Sequence, residues 1–529
     1  MIQTQPPAST AGYRDLRAHL QALEAQGLLH RIDRLINKDT EMHPLVRWQY
    51  RGGIPDAGRK AFLFTNVTDS TGRKYDAPVL VGGLAGSKKI YALGLQCELE
   101  DVGEKWERAL ANPIEPVMSR EPAPVHEIVR QGAQLEAWGG LLNFPTPIST
   151  PGYDNAPYLT SAQYITKDPE TGVRNVGHYR GQIKGAMRVA VQFSTPFKDA
   201  LVHWRKAKAR GEHLPVAIVV GAPPVVAFGG VQRAPIGVDE YALSGGLAGE
   251  PIRLVKCKTV DIEVPADAEV VIEGYVRTDY VEPEGPFGES YGFVSPRTES
   301  PMVEITCITH RRDPIWTSFI SQVTPSESST IKVVAYEPMF LNFLRNTCGV
   351  KSVVKVLMHE PLSNIRPVIF LQFKNASEGE VWRALKLASG FQTNVGKVII
   401  AVDEDIDPDN LDAIMWALAY RMTPHKDVQI VRGFYEAFAH NEDMENSVLL
   451  VNATLRHKLP PISLPKREFM ERSLEIWREL GLPAVSPQAP WHGYSLGEWS
   501  DDLDLEAALA TEGRWLETGV KMAGQQKKV

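Results

Sequence analysis

Cysteine is scarce. Only Cys97, Cys257, Cys307 and Cys348 occur in 529 residues, and no two stand at metal-ligand spacing. That excludes a disulfide framework and a zinc knuckle. No apolar run approaches the ~18 to 20 residues that cross a bilayer. Basic excess is missing as well: the formal net charge is −7, so charge argues for neither a nucleic acid nor a membrane partner. Residues 1–9 are polar, contain proline and lack the charged-then-apolar layout of a secretory signal, so the expected compartment is the cytoplasm. Internal repeats and low-complexity tracts are absent too. What remains is 43% hydrophobic and 23% charged, ordinary for a globular chain long enough for two or three domains.

Periodicity places a first helix over 13–28, with Leu16, Leu20 and Leu23 as its stripe and Gly27 as its stop. Strand-like runs at 61–65 and 77–81, a helix over 105–111 and a Pro-rich connector over 112–124 follow. From 141 to 309 the pattern is β. Runs at 187–193, 216–220, 260–264 and 270–276 are interrupted by helices over 200–211 and 240–247, which predicts an α+β unit built on an antiparallel barrel or sheet. Past 329, helices and strands alternate as in a small layered α/β domain. A last amphipathic helix over 466–480 carries Met470, Leu474 and Trp477 on one face, suited to packing on a neighbouring domain or subunit.

The segment Glu282-Pro-Glu-Gly-Pro-Phe-Gly-Glu-Ser-Tyr-Gly292 packs three carboxylates, three glycines and two prolines into eleven residues. It is expected to form neither regular helix nor regular strand. Glu284 and Glu289 can share one pocket across such a turn, where burial and repulsion keep a proton available for donation. A solvated acidic turn is the plainer alternative. Asn175-Val-Gly-His-Tyr-Arg180 offers an arginine that can hold a carboxylate or a phosphate, or can simply lie on a polar strand edge. His178 reads as a hydrogen-bonded strand residue or a contact to ligand.

Asn175-x-x-x-Tyr-Arg180, Asp239-Glu240-Tyr-Ala-Leu-Ser-Gly-Gly, Glu284-Gly-Pro-Phe-Gly-Glu289 and Val402-Asp-Glu-Asp-Ile-Asp407 occur in the order seen in UbiD-type decarboxylases. The chain resembles that family over nearly its whole length. The resemblance implies an α+β and α/β architecture. An N-terminal α/β segment (1–125) precedes a split β-barrel flavin-binding domain (126–325), a smaller α/β oligomerisation domain (326–460) and a C-terminal helix and tail (461–529). It implies a prenylated FMN cofactor delivered by a separate flavin prenyltransferase, and a homodimer or homohexamer. The expected activity is loss of CO2 from an aromatic acid or its coenzyme A thioester through a covalent adduct with the flavin. Carboxylation, or a scaffold role in a multi-subunit CO2-fixing complex, is the alternative. Arg180, Glu284 and Glu289 match the catalytic network, with Glu289 as proton donor. Asn175 and Glu240 match ligands of a divalent metal, Mg or Mn, that bridges to the flavin phosphate. Lys397 matches a phosphate-binding lysine, and Gly229, Gly230 and Gln232 fall where backbone carbonyls hold potassium. Substrate-lining residues are expected around Ser290 and within 433–446, and the tail with Trp491 and Trp499 resembles branches acting on hydroxybenzoates or aromatic acyl thioesters.

One position departs from the family. Its third metal ligand is a histidine; counted without gaps Lys198 falls there, with a short deletion Ser194 does, and His203, the nearest histidine, belongs to the next helix. The Lys198 ammonium is expected to replace the cation beside the phosphate or to leave a looser two-ligand site; a plain surface lysine in a shifted alignment is the alternative. Three other patterns fail on context. Gly288-Glu-Ser290-Tyr-Gly292 fits a serine-hydrolase elbow but lacks the strand before and the helix after. Residues 403–409 lack the glycine and glutamate of a calcium loop, and read instead as capping the helix from Leu411. Residues 80–89 lack P-loop spacing and read as a structural turn.

Overall fold

The computed structural model describes residues 12–193, 199–232, 239–361, 363, 367–391, 396–432, 447–456, 460–487 and 500–525. The first helix spans Leu16–Ala25, tighter than its periodicity suggested, because the Asp15 carboxylate accepts the Ala18 N–H at 2.9 Å and caps it. Leu16, Leu20 and Leu23 are buried, and Gly27 takes the left-handed φ of +65° that ends such helices.

Strands Leu29–Ile32, Ala61–Phe64, Val79–Val81 and Trp316–Ser318 form one sheet. The last is far along the chain yet pairs in parallel with Val79–Val81. That pairing brings the segment after Ser318 beside helix Met42–Arg51, where Arg47 donates to the carbonyls of Val323 and Pro325.

The centre is a nine-stranded sheet that curls into a half-barrel. Its order is Arg174–His178, Gln163–Lys167, Leu214–Val220, Val270–Glu284, Thr298–His310, Arg188–Val191, Gly181–Gly185 and Tyr158–Leu159, with Ile128–Gln131 also on Thr298–His310. Strand Val270–Glu284 pairs with Leu214–Val220 only as far as Val276, but with Thr298–His310 out to Glu284. Where one edge alone is paired, Pro283 is tolerated. This corrects the expectation for 282–292. Glu282 to Glu284 finish a regular strand, and Phe287–Gly288 then pairs with Val294–Ser295 as a small hairpin. Helices Pro224–Val231 and Glu240–Ala248 pack on one side. The first was not expected, because its all-apolar sequence carries no helical periodicity.

The C-terminal sheet runs Val353–Met358, Val368–Phe373, Val398–Asp403, Ser447–Asn452, Val428–Arg432. Its helix Leu411–Tyr420 is capped by Asn410, which accepts from Asp412 and Ala413. The aspartates expected to cap it do something else: Asp403 and Asp405 clasp Arg421. Helix Arg467–Glu479 is followed by two that the sequence reading did not include, Asp501–Thr511 and Trp515–Ala523. No residue of the three is buried within the chain. Among the described residues no helix is long and apolar enough to cross a membrane.

Candidate active site

Arg180 lies in the two-residue link between strands Arg174–His178 and Gly181–Gly185. The next residue must be glycine, since a Cβ on Gly181 would sit 2.1 Å from the Tyr164 hydroxyl. From this link the guanidinium reaches two carboxylates more than a hundred residues away. Its Nε donates to Glu284 Oε1 at 3.0 Å and its Nη2 to Glu284 Oε2 at 2.7 Å. Its Nη1 donates to Glu289 Oε1 and to Ser295 Oγ, the latter at 3.0 Å. The guanidinium also stands 5.0 Å from the centre of the Phe287 ring. Four of its five N–H groups, on all three nitrogens, are thus engaged.

The two carboxylates differ in exposure. The Glu284 side chain is 0% exposed, that of Glu289 22% and that of Arg180 10%. Glu284 is thus the internal partner, and Glu289 is the more exposed of the two. Glu289 is also held at its backbone, where its N–H donates to Phe293 at 3.0 Å across the hairpin turn. Ser290 is half-buried in that turn. Strand, not helix, follows it, so the hydrolase elbow is absent.

Four neighbours escaped the sequence reading. The Tyr158 hydroxyl donates to the Pro286 carbonyl at 3.3 Å, and its ring packs on Phe287 with centroids 4.5 Å apart and planes tilted by 44°. Ser295 accepts from Arg180 and donates to Phe287 O. Asp154, in the Pro-Gly-Tyr-Asp turn, accepts the Gly288 N–H at 2.8 Å and the Thr150 N–H at 2.7 Å. Burial pushes its carboxyl up to about 6. His43 lies behind the segment after Ser318. Its Nδ1 donates to Ser149 O at 3.2 Å and its Nε2 accepts from Ser318 Oγ at 2.9 Å. Burial depresses it to about 4 and keeps it neutral. A turn signature before the β region was the one sequence clue to Asp154.

A second polar group gathers one strand away. Glu240, at the start of helix Glu240–Ala248, accepts the Val176 N–H at 3.1 Å, beside Asn175. Burial raises its carboxyl to about 7, and the charges of Asp239 and Asp199 add to that. Asn175 Nδ2 and both polar atoms of the buried Gln232 side chain have no partner among the described residues. An acidic oxygen, an amide oxygen and unpaired buried amides suit a hard cation and a phosphate, so the residues fit the group that the resemblance implies. A cation here would also offset the cost of ionising Glu240.

The other expected residues are placed differently. Gly229 and Gly230 lie in the last turn of helix Pro224–Val231, against Ser244 and Val176. Terminal-turn carbonyls have no partner within their own helix. Lys397 is exposed at the start of strand Val398–Asp403, and no contact joins it to the Arg180 or Glu240 groups. Lys198, the 433–446 segment, Trp491 and Trp499 lie outside the described residues. His203 is buried in helix Asp199–Ala209 with its Nδ1 on Thr166 Oγ1 at 2.9 Å, not on Glu240. Among the described residues no three His, Cys, Asp or Glu side chains converge as a metal cluster. His178 Nε2 donates to Ala227 O at 3.1 Å, as the plain reading had it. The glycine-rich 80–89 turn is filled by Glu327, which accepts from Gly82, Leu84 and Ala85 at 3.0 to 3.4 Å.

Three family models match the chain: the N-terminal domain of 3-octaprenyl-4-hydroxybenzoate carboxy-lyase over residues 20–110, its Rift-related domain over 117–323 and its C-terminal domain over 330–452. An uncharacterized protein of Aquifex aeolicus is 32% identical over 499 residues, covering 89% of this chain and 99% of that one. Among solved structures, an evolved dimeric form of the UbiD-class enzyme HmfF from Pelotomaculum thermopropionicum, in complex with prFMN, superposes with a TM-score of 0.73. It is 30% identical, with 85% of this chain and 97% of that one covered. The vanillic acid decarboxylase of Sedimentibacter hydroxybenzoicus in its closed form gives 0.74 at 26% identity, with 88% and 99% covered.

Proposed function

The chain belongs to the UbiD family, and from that premise we propose that it is a prenylated-FMN-dependent decarboxylase of a monocyclic aromatic acid. The observation that carries the reading is Arg180 held between Glu284 and Glu289 in one largely buried cluster. Bound prenylated FMN supplies the electron sink that no side chain offers. The chain supplies the rest. Glu284, doubly bonded to Arg180, orients the guanidinium. Glu289, the more exposed of the two, delivers its proton to the ring carbon that CO2 leaves. Removal of water by Phe287, Tyr158 and the wall after Ser318 strengthens both electrostatic effects.

Asn175 and Glu240 would hold a divalent Mg or Mn ion against the flavin phosphate, with Gln232 toward the same group. Lys198 would stand where the third ligand is otherwise a histidine. The carbonyls of Gly229 and Gly230 would hold potassium, and Lys397 would need a movement of its sheet to meet the phosphate. In an assembled homodimer or homohexamer the tail helices would find their partner. The same residues would run the reaction toward carboxylation when CO2 is abundant.

The test is anaerobic co-expression with a flavin prenyltransferase, followed by absorbance and mass analysis and a screen of aromatic acids and their thioesters. Bound prenylated flavin with CO2 release is the expected result. Well-folded protein that takes up none overturns the proposal.

A further inference from the structure

Asp154 is buried, carries no ion pair among the described residues and has no part in the function proposed above. Its carboxylate joins two segments 134 residues apart, accepting the Gly288 N–H at 2.8 Å and the Thr150 N–H at 2.7 Å. The turn behind it is closed by the Asp154 N–H on Thr150 O at 3.0 Å. Thr150 Oγ1 takes the Gln322 amide at 3.1 Å. There is no slack between the two segments: a Cβ on Gly288 would lie 2.1 Å from Thr150 Oγ1. Gly288 immediately precedes Glu289, whose own N–H is fixed on Phe293 O at 3.0 Å. The backbone that presents Glu289 is thus gripped on both sides, and Asp154 is one of the grips.

The grip is also a charge. Arg180 brings one positive charge to Glu284, Glu289 and Asp154. Around them stand Tyr158 and Tyr164 facing Glu284, and Tyr291 facing Arg180. Lys184 is turned to the Pro283 carbonyl at 2.7 Å on the exposed rim. With all three carboxyls ionised the buried group would carry a net −2 against that one guanidinium, which low dielectric disfavours.

We propose that Asp154 is a positioning residue for the proton donor: it fixes the Gly288 backbone that presents Glu289, and its negative charge keeps a proton in the Arg180 cluster at working pH. The inference rests on Glu289 as donor in the proposed function.

The experiment compares wild type, Asp154→Asn, Asp154→Glu and Glu289→Gln as holoenzymes, and the first two also as apo-protein. Asp154→Asn keeps an acceptor for Gly288, gives up the Thr150 N–H that its amide nitrogen cannot accept, and loses the charge. Expected are unchanged flavin content and a basic limb of the kcat–pH profile moved about one unit to lower pH. Asp154→Glu should return the limb toward wild type. An Asp154→Asn profile lowered equally at every pH, its limb unmoved, overturns the proposal. In apo-protein, the melting temperature of Asp154→Asn minus that of wild type should rise as pH goes from 4 to 6. The wild-type carboxyl, raised from 3.8 to about 6, loses its contribution over that window. A flat difference overturns the charge role without reference to catalysis. Wild type that binds flavin but neither decarboxylates nor exchanges hydrogen on any acid defeats Glu289 as donor, and the apo comparison then decides Asp154 alone. If Asp154→Asn does not fold, Asp154→Ser, which leaves room for a water, is read by the same two criteria.

Discussion

At Arg180 every nitrogen is committed: two to Glu284, and the third shared by Glu289 and Ser295. Glu289 alone among these acceptors is a partly exposed carboxyl group. Glu289→Gln should therefore abolish CO2 release and hydrogen exchange at the product carbon while flavin stays bound, as read by absorbance and by deuterium incorporation. Full activity would remove it as donor. Ser295→Ala tests the network's weaker arm. It leaves one Arg180 N–H and the Phe287 carbonyl short of a partner, and should lower kcat/KM about fivefold, the rate equivalent of ~1 kcal/mol. The arginine and the two glutamates were legible because each sits in a short motif with its own local signature. Ser295 and Asp154 were not. They meet the site through contacts spanning 115 and 134 residues, and a serine or an aspartate in a turn looks the same whether or not such a partner exists.

Elements follow the same rule. The Leu16–Ala25 helix and the strand Leu214–Val220 were readable because amphipathic period or β-branched runs mark them. The strand Val270–Glu284 was read too short, since Pro283 and the glycines beyond it signal a break. What sustains it is pairing with Thr298–His310 on one edge only, a tertiary fact. The hairpin it feeds is where an element's geometry can be tested. Gly288→Ala would place a methyl group 2.1 Å from Thr150 Oγ1 and 3.0 Å from Thr150 Cβ, so the hairpin must shift and carry Glu289 with it. A displacement of that size should cost about a hundredfold in kcat. Adding Thr150→Ala, which removes the hydroxyl, should recover part of the loss. A double variant no better than the single would show that the contact is not what constrains the hairpin.

Across the whole molecule, buried ionisable groups pull stability in opposite directions over one pH window. Glu240, Glu327 and Glu337 are raised by burial from 4.5 to about 7, and Asp154 from 3.8 to about 6. A folded carboxyl that holds its proton more tightly than the unfolded chain contributes stability below its unfolded value and loses it as pH climbs through the folded one. His19, His43 and His126 are depressed by burial from 6.5 to about 4. Their contribution is present above 6.5 and lost as pH falls. Between pH 4.5 and 6 four carboxyls oppose three histidines, so the apo-protein's melting temperature should fall only gently there, and should fall more steeply from pH 6.5 upward, where only the three glutamates still titrate. Glu327 is the cleanest single lever, wholly buried and worth about 3 kcal/mol across its shift. Glu327→Gln keeps an acceptor for one side of its backbone cradle and loses the Gly82 contact, so its melting temperature should be lower at acid pH. With that carboxyl gone three carboxyls face three histidines. The variant's melting temperature should be almost level from pH 4.5 to 6 and decline less than wild type above 6.5, and parallel wild-type and variant curves would mean that Glu327 does not titrate in this range.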